Sequence, residues 1–127
     1  MATWDDVHRL ASALPETAPN TRWGMAGWAV RGKSFVWERP LRKRDVDDLG
    51  PAAPDGPIIA ARTADVGVRD ALIADNPAVY FTIPHFHDYP AVLALLDVID
   101  TAELDELITE AWLVQAPKTL VKKFLAE

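Results

Sequence analysis

Apolar residues recur at helical spacing at the start of the chain: Trp4, Val7, Leu10, Ala11 and Leu14 share one helix face. Thr3 stands where a helix cap is needed, and Asp6, three residues on, suits the positive helix end. Pro15 closes this helix, and residues 15–22 read as a loop. The period then falls to two. Trp28 and Val30, then Phe35 and Trp37, predict a hairpin over Gly27–Arg39 with Gly32-Lys33 as its turn and these four side chains on or near one buried face. Pro40–Pro57 is charged and then rich in Pro, Gly and Ala, a surface loop with one helical turn over Lys43–Leu49.

Pro57–Arg62 predicts the next strand, and Val66–Asp75 a short helix with Val68, Leu72 and Ile73 on its inner face. Asn76-Pro77 ends that helix. Val79–Ile83 and Ala91–Leu96 read as strands joined by Pro84–Pro90. Thr101 is placed to cap a helix over Ala102–Val114, whose inner face carries Leu104, Leu107, Ile108, Ala111 and Trp112. Pro117 suits the first position of a last helix ending at Leu125. This order of elements implies an α+β fold: one antiparallel sheet with helices packed on one face, a two-layer sandwich.

The 127 residues have the size of one domain, expected to span 1–127, and half of them are hydrophobic. Without cysteine, thiol catalysis, disulfides and thiolate metal sites are excluded. No apolar run reaches the roughly 18–20 residues of a membrane span, and the acidic N-terminus has no secretory core, so a cytoplasmic protein with no membrane partner is expected. The net charge of −6 opposes diffuse attraction to nucleic acid. It is unevenly spread. Six basic residues (Arg31, Lys33, Arg39, Arg42, Lys43 and Arg44) lie in one window with Glu38 alone opposing them, although Asp45, Asp47 and Asp48 follow at once.

Those six are the candidate nucleic-acid contacts: guanidinium groups beside a hairpin can straddle phosphates, and Leu41–Asp48 could project as a wing. The plainer reading is an edge kept soluble by charge. Trp23, His85, Phe86 and Tyr89 are the candidate ligand groove, because aromatics and a titratable group converge there in sequence. His85 and His87 at i, i+2, with Asp88 or the distant His8, match no standard metal spacing. Their simpler role is structural, with His85 bonding a carbonyl of the turn and His87 facing water. The carboxylates at Asp5, Asp6, Glu103, Asp105, Glu106 and Glu110 read as solvated helix faces. No metal site and no cofactor are expected. Ser12 and Ser34 are the only serines, neither in a nucleophile elbow, and no phosphate loop or zinc motif is present, so no catalytic residue is assigned.

Trp23-Gly24, Gly32-Lys33 followed by Phe35-Val36-Trp37, Pro84-His85-Phe86, and Ala111-Trp112 followed by Ala116-Pro117-Lys118 occur in this order. So arranged, from about Val7 to Phe124, they resemble the MmcQ/YjbR family of small bacterial proteins. The resemblance implies a fold like that of frataxin and CyaY and a "double-wing" DNA-binding role; it transfers no catalytic residue. Two functions of different class follow: a non-enzymatic DNA-binding module, or a domain binding a protein or small ligand through the aromatic and histidine groove.

Overall fold

The structure is a computed structural model that describes residues 2–21 and 24–126. Among the described residues, five α-helices and six strands follow in the order α1 (Trp4–Ser12), β1 (Thr17–Pro19), β2 (Gly27–Val30), β3 (Lys33–Glu38), α2 (Lys43–Leu49), β4 (Ile58–Arg62), α3 (Val66–Asp75), β5 (Tyr80–Phe81), β6 (Ala91–Leu95), α4 (Thr101–Gln115) and α5 (Lys118–Leu125). The sheet runs β1-β2-β3-β4-β6-β5, with every pair antiparallel. This is the expected α+β class. No helix among the described residues is long and apolar enough to cross a membrane.

The first helix starts as its sequence requires. Thr3 Oγ1 accepts from the Asp6 amide at 3.3 Å, and the Asp6 carboxylate accepts from the Thr3 amide at 2.9 Å, a reciprocal cap. The same backbone bond, aided by Arg9, holds the Asp6 carboxyl below its ordinary value. For α4 the cap is Asp100, one residue before the expected Thr101: its carboxylate accepts from the Glu103 amide at 2.8 Å. Pro117 stands just before α5 rather than as its first residue, and its side chain makes no capping bond.

Three further local expectations change. Residues 15–22 hold a short edge strand, β1, which pairs with β2. Three residues with two prolines beside them carry no period to read. The hairpin turn lies one residue earlier than expected: Val30 pairs with Lys33, and Arg31 and Gly32 turn the chain with φ of 47° and 82°, the positive pair of a I′ turn. Arg31 is held there by Glu16, whose carboxylate accepts from its Nε at 2.7 Å and its Nη2 at 3.0 Å.

The third change is a β-bulge. Trp28 pairs with Val36 but Ala29 pairs with Ser34, so Phe35 is an extra residue in β3. Phe35 and Val36 therefore both join the core on the α1 and α4 side, with Trp28 and Val30. Trp37, expected beside Phe35, points to the opposite face. There it packs with Ile58, Ala60, Phe86 and Leu93, under Leu41 and Leu49 of the segment leading into and out of α2.

The main core lies between the sheet and α1, α4 and α5, with Phe35, Ile59, Leu104, Ile108 and Trp112 fully buried. Each large aliphatic or aromatic side chain so buried stabilises the fold by roughly 1.5–3 kcal/mol. Trp112 is satisfied as well as buried: its indole N–H donates to the Pro15 carbonyl at 3.1 Å.

Candidate functional site

The second sheet face is where the chemistry-bearing residues gather. β3 ends at Glu38, and the chain continues through Arg39, Pro40 and Leu41 into α2. Between this segment and the hairpin lies a cavity of about 490 Å³, lined among others by Asn20, Met25, Ser34, Trp37, Leu41, Arg42 and Phe86. The bulge at Phe35 supplies its main aromatic wall, because it turns Trp37 away from the helix side. Asn20 is fixed on the opposite wall by donating from Nδ2 to Ser34 Oγ at 2.9 Å. Gly27 permits that approach: a Cβ there would stand 2.8 Å from the Asn20 carbonyl oxygen. A second cavity of about 240 Å³ shares Arg39 and Arg42 with the first and adds Arg44, Asp48 and His85.

The six basic residues separate sharply in this setting. Arg39 is buried and bridged to the buried Asp45 at 3.1 Å, donates to the Pro40 carbonyl, and lies 5.6 Å from the Phe86 ring centre. Its charge is spent inside the protein. Arg31 is engaged by Glu16, whose carboxyl it holds below the usual range. Lys33 is exposed at the end of the hairpin turn, and Arg42, Lys43 and Arg44 are exposed in succession at the start of α2. Asp45 neutralises Arg39 and also accepts from the Arg42 amide at 2.9 Å.

Of the expected groove residues, Trp23 lies outside the described residues. Phe86 is buried, His85 is exposed beside it on a short helical turn over Pro84–Phe86, and Tyr89 is 39% exposed. Their rings form a chain: His85 and Phe86 centres are 6.0 Å apart, Phe86 and Tyr89 5.3 Å, and Tyr89 and Trp37 6.4 Å. Trp37, assigned to the core from its spacing, thus joins the aromatic row. His87 is largely exposed beside the exposed Asp88. Among the described residues no group of three or more His, Asp or Glu is spaced to hold a metal ion.

The bonds that pin the Pro84–Pro90 connection come from Arg69 of α3, not from His85. Arg69 is buried and its Nη1 lies within hydrogen-bond distance of the carbonyls of Phe86 (2.7 Å), His87 (3.1 Å) and Tyr89 (3.3 Å). The guanidinium thereby sets the backbone that presents Phe86 and Tyr89. The only sequence signal was a lone arginine between the apolar positions Val68 and Leu72, and spacing alone does not say whether such a side chain points in.

On the other face, α3 and α4 flank a groove of about 320 Å³ whose walls include Val68, Leu72, Tyr80, Glu103, Glu106 and Glu110. Burial first, and the Glu103 carboxylate second, push the Tyr80 phenol well above its ordinary value.

A family model described as YjbR matches residues 12–114. Proteins from Mycobacterium bovis and Mycobacterium tuberculosis, each described only as uncharacterized, are 54% identical over 129 aligned positions, covering 99% of this chain and 98% of theirs. The crystal structure of a Deinococcus radiodurans protein with a DUF419 domain superposes with a TM-score of 0.67 at 15% identity, over 97% of this chain and 88% of that one.

Proposed function

The chain belongs to the YjbR family, and from that premise we propose that it is a non-enzymatic binding module whose site is the cleft between the hairpin and α2. The ligand carries a flat apolar group for Trp37, Phe86 and Met25 and a negative charge for Arg42 and, in the adjoining cavity, Arg44. One observation carries this reading. A bulge diverts a tryptophan from the core to the wall of a 490 Å³ cavity that shares Arg42 with a second cavity, where Arg44 stands with Asp48 and with Asp45, itself paired to Arg39. Apolar walls with a few placed polar groups are what small-molecule sites consist of, and the volume falls in their range.

The aromatic sulfonate 1-anilinonaphthalene-8-sulfonate is a suitable probe. It should bind the folded protein saturably at one site, with Trp37→Ala and Arg42→Ala each weakening it about tenfold, equivalent to about 1.4 kcal/mol. Binding indifferent to both substitutions in variants that retain their circular dichroism would refute the assignment.

A second reading rests on the exposed succession Arg42, Lys43 and Arg44, with Lys33 at the hairpin. These four would contact the phosphates of DNA, while Arg31 and Arg39 would not, since each is already paired. Four phosphate contacts bound the slope of log K against log salt at about −3.6 on duplex DNA. Fluorescence anisotropy between about 50 and 200 mM salt measures it, and a slope unchanged in the Arg42/Lys43/Arg44→Ala variant would eliminate this contact set.

A further inference from the structure

The short helix α3 buries only part of the face its sequence marks as apolar: Leu72 and Ile73 pack partly buried against the main core. Val68 is 43% exposed and Leu72 only half-buried, while the buried residue of the helix is Arg69. Val68 and Leu72, four apart, form a stripe along one wall of the groove; Leu107 and Val114 of α4 form the other, and Tyr80 contributes between them. A partly exposed apolar helix face over an open groove is one half of a helix-in-groove contact.

The rim states the charge of the missing half. Asp75 ends α3, and Glu103, Glu106 and Glu110 follow one another at i, i+3 and i+7 along α4, all four lining the groove. Glu106 and Glu110 also flank a smaller adjoining hollow with Asp105. Like charges at this spacing disfavour a helix by a few tenths of a kcal/mol per pair. The cation among the described groove-lining residues is Arg62, and its guanidinium sits 5.1 Å from the centre of the Tyr89 ring. The carboxylates along α4 are left without a cation beside them among the described ion pairs.

We propose that the groove between α3 and α4 docks a basic amphipathic helix of a protein partner. Leucine-type residues at i and i+3 or i+4 would seat on Val68, Leu72, Leu107 and Val114, and lysine or arginine on the flanks would meet Asp75, Glu106 and Glu110. The site lies on the helix-covered side of the sheet and the cleft on the other.

The test uses the whole 15N-labelled protein and a synthetic peptide with leucine at i, i+3, i+4 and i+7 and lysine on both flanks. The expected result is saturable binding with amide shifts confined to α3, α4 and Tyr80. A peptide of the same composition in scrambled order should bind at least about tenfold more weakly, a difference of about 1.4 kcal/mol. Val68→Ser and Glu106→Gln/Glu110→Gln change exposed positions only, and each should weaken binding by a similar factor with the fold intact. Equal binding of the scrambled peptide, or shifts spread over every acidic surface, would overturn the proposal. So would the same shifts produced by spermidine at equal charge, which assigns the groove to small polycations, or a concentration-dependent dimer occupying the groove without peptide, which assigns it to a second copy.

Discussion

The bridge between Arg39 and Asp45 offers a quantitative test of how the cleft is held. Both side chains are below one-tenth exposed, 3.1 Å apart, and Asp45 also accepts the Arg42 amide. Arg39→Met leaves a carboxylate in a desolvated place with one backbone donor. Asp45→Leu leaves a guanidinium with the Pro40 carbonyl and the Phe86 ring. Breaking a buried pair from one side costs about 3–5 kcal/mol, whereas replacing both partners by apolar groups is often close to neutral. The double variant still forfeits the bond to the Arg42 amide, about 1 kcal/mol for a lost helix-start bond. Each single variant should therefore lose about 3 kcal/mol and the double variant about 1–2, giving a coupling of several kcal/mol. In a domain of this size, about 3 kcal/mol corresponds to a fall of roughly 12 °C in Tm. Urea denaturation at neutral pH, with the slope checked for two-state behaviour, reads all three values. Additive losses, or single variants costing under about 1 kcal/mol, would refute the claim that the Arg39 charge is consumed internally, and would return Arg39 to the residues available for a ligand.

Two further outcomes are expected. Arg69→Met removes the strong 2.7 Å bond to the Phe86 carbonyl and the weaker ones to His87 and Tyr89; it should cost about 2–3 kcal/mol and speed amide exchange across Phe86–Ala91, and unchanged exchange there would show that the loop is held by other means. For Tyr80, the folded-state pKa is raised above its ordinary 10.0 by burial and then by Glu103, so its stabilising contribution is complete below that value and declines as the pH rises past it, where the unfolded chain ionises and the folded one does not; wild type should lose Tm more steeply above pH 10.0 than Tyr80→Phe, and parallel curves would contradict the assignment.

Local signals were legible where the physics is local. Thr3 with Asp6 marked the start of α1 because both partners of the cap lie within four residues. The apolar spacing of Leu104, Leu107, Ile108, Ala111 and Trp112 marked the inner face of α4, and all five are buried. What escaped depends on partners distant in sequence or on an insertion. Phe35-Val36-Trp37 is an unbroken apolar run, compatible with regular alternation and with a bulge alike, and the pairing partner across β2 decides between them. Charge counting grouped Arg39 with Arg42, Lys43 and Arg44, but a count does not reveal that Asp45 folds back on the first of them. Arg69 is explained by carbonyls seventeen to twenty residues away. Beyond family and fold, the residues of the cleft became visible as a group only once the sheet had two faces to assign them to.

The extra residue in β3 also governs how this protein can vary among its relatives. Side chains on a strand alternate, so one inserted residue exchanges the faces of everything beyond it unless a bulge absorbs it, as happens at Phe35. A relative lacking the equivalent of Phe35 would regain regular pairing, with Ser34 still opposite Ala29, Val36 opposite Trp28 and Trp37 opposite Gly27, so Trp37 would keep its place on the cleft face while the main core lost a ring. Its cleft would keep its aromatic wall and its core would carry the void, with every other amino acid identical. A one-residue gap at Phe35 in an alignment therefore burdens the core and spares the cleft, and the pairing of Trp37 across β2, more than percentage identity, marks which members of a lineage inherit the same binding face.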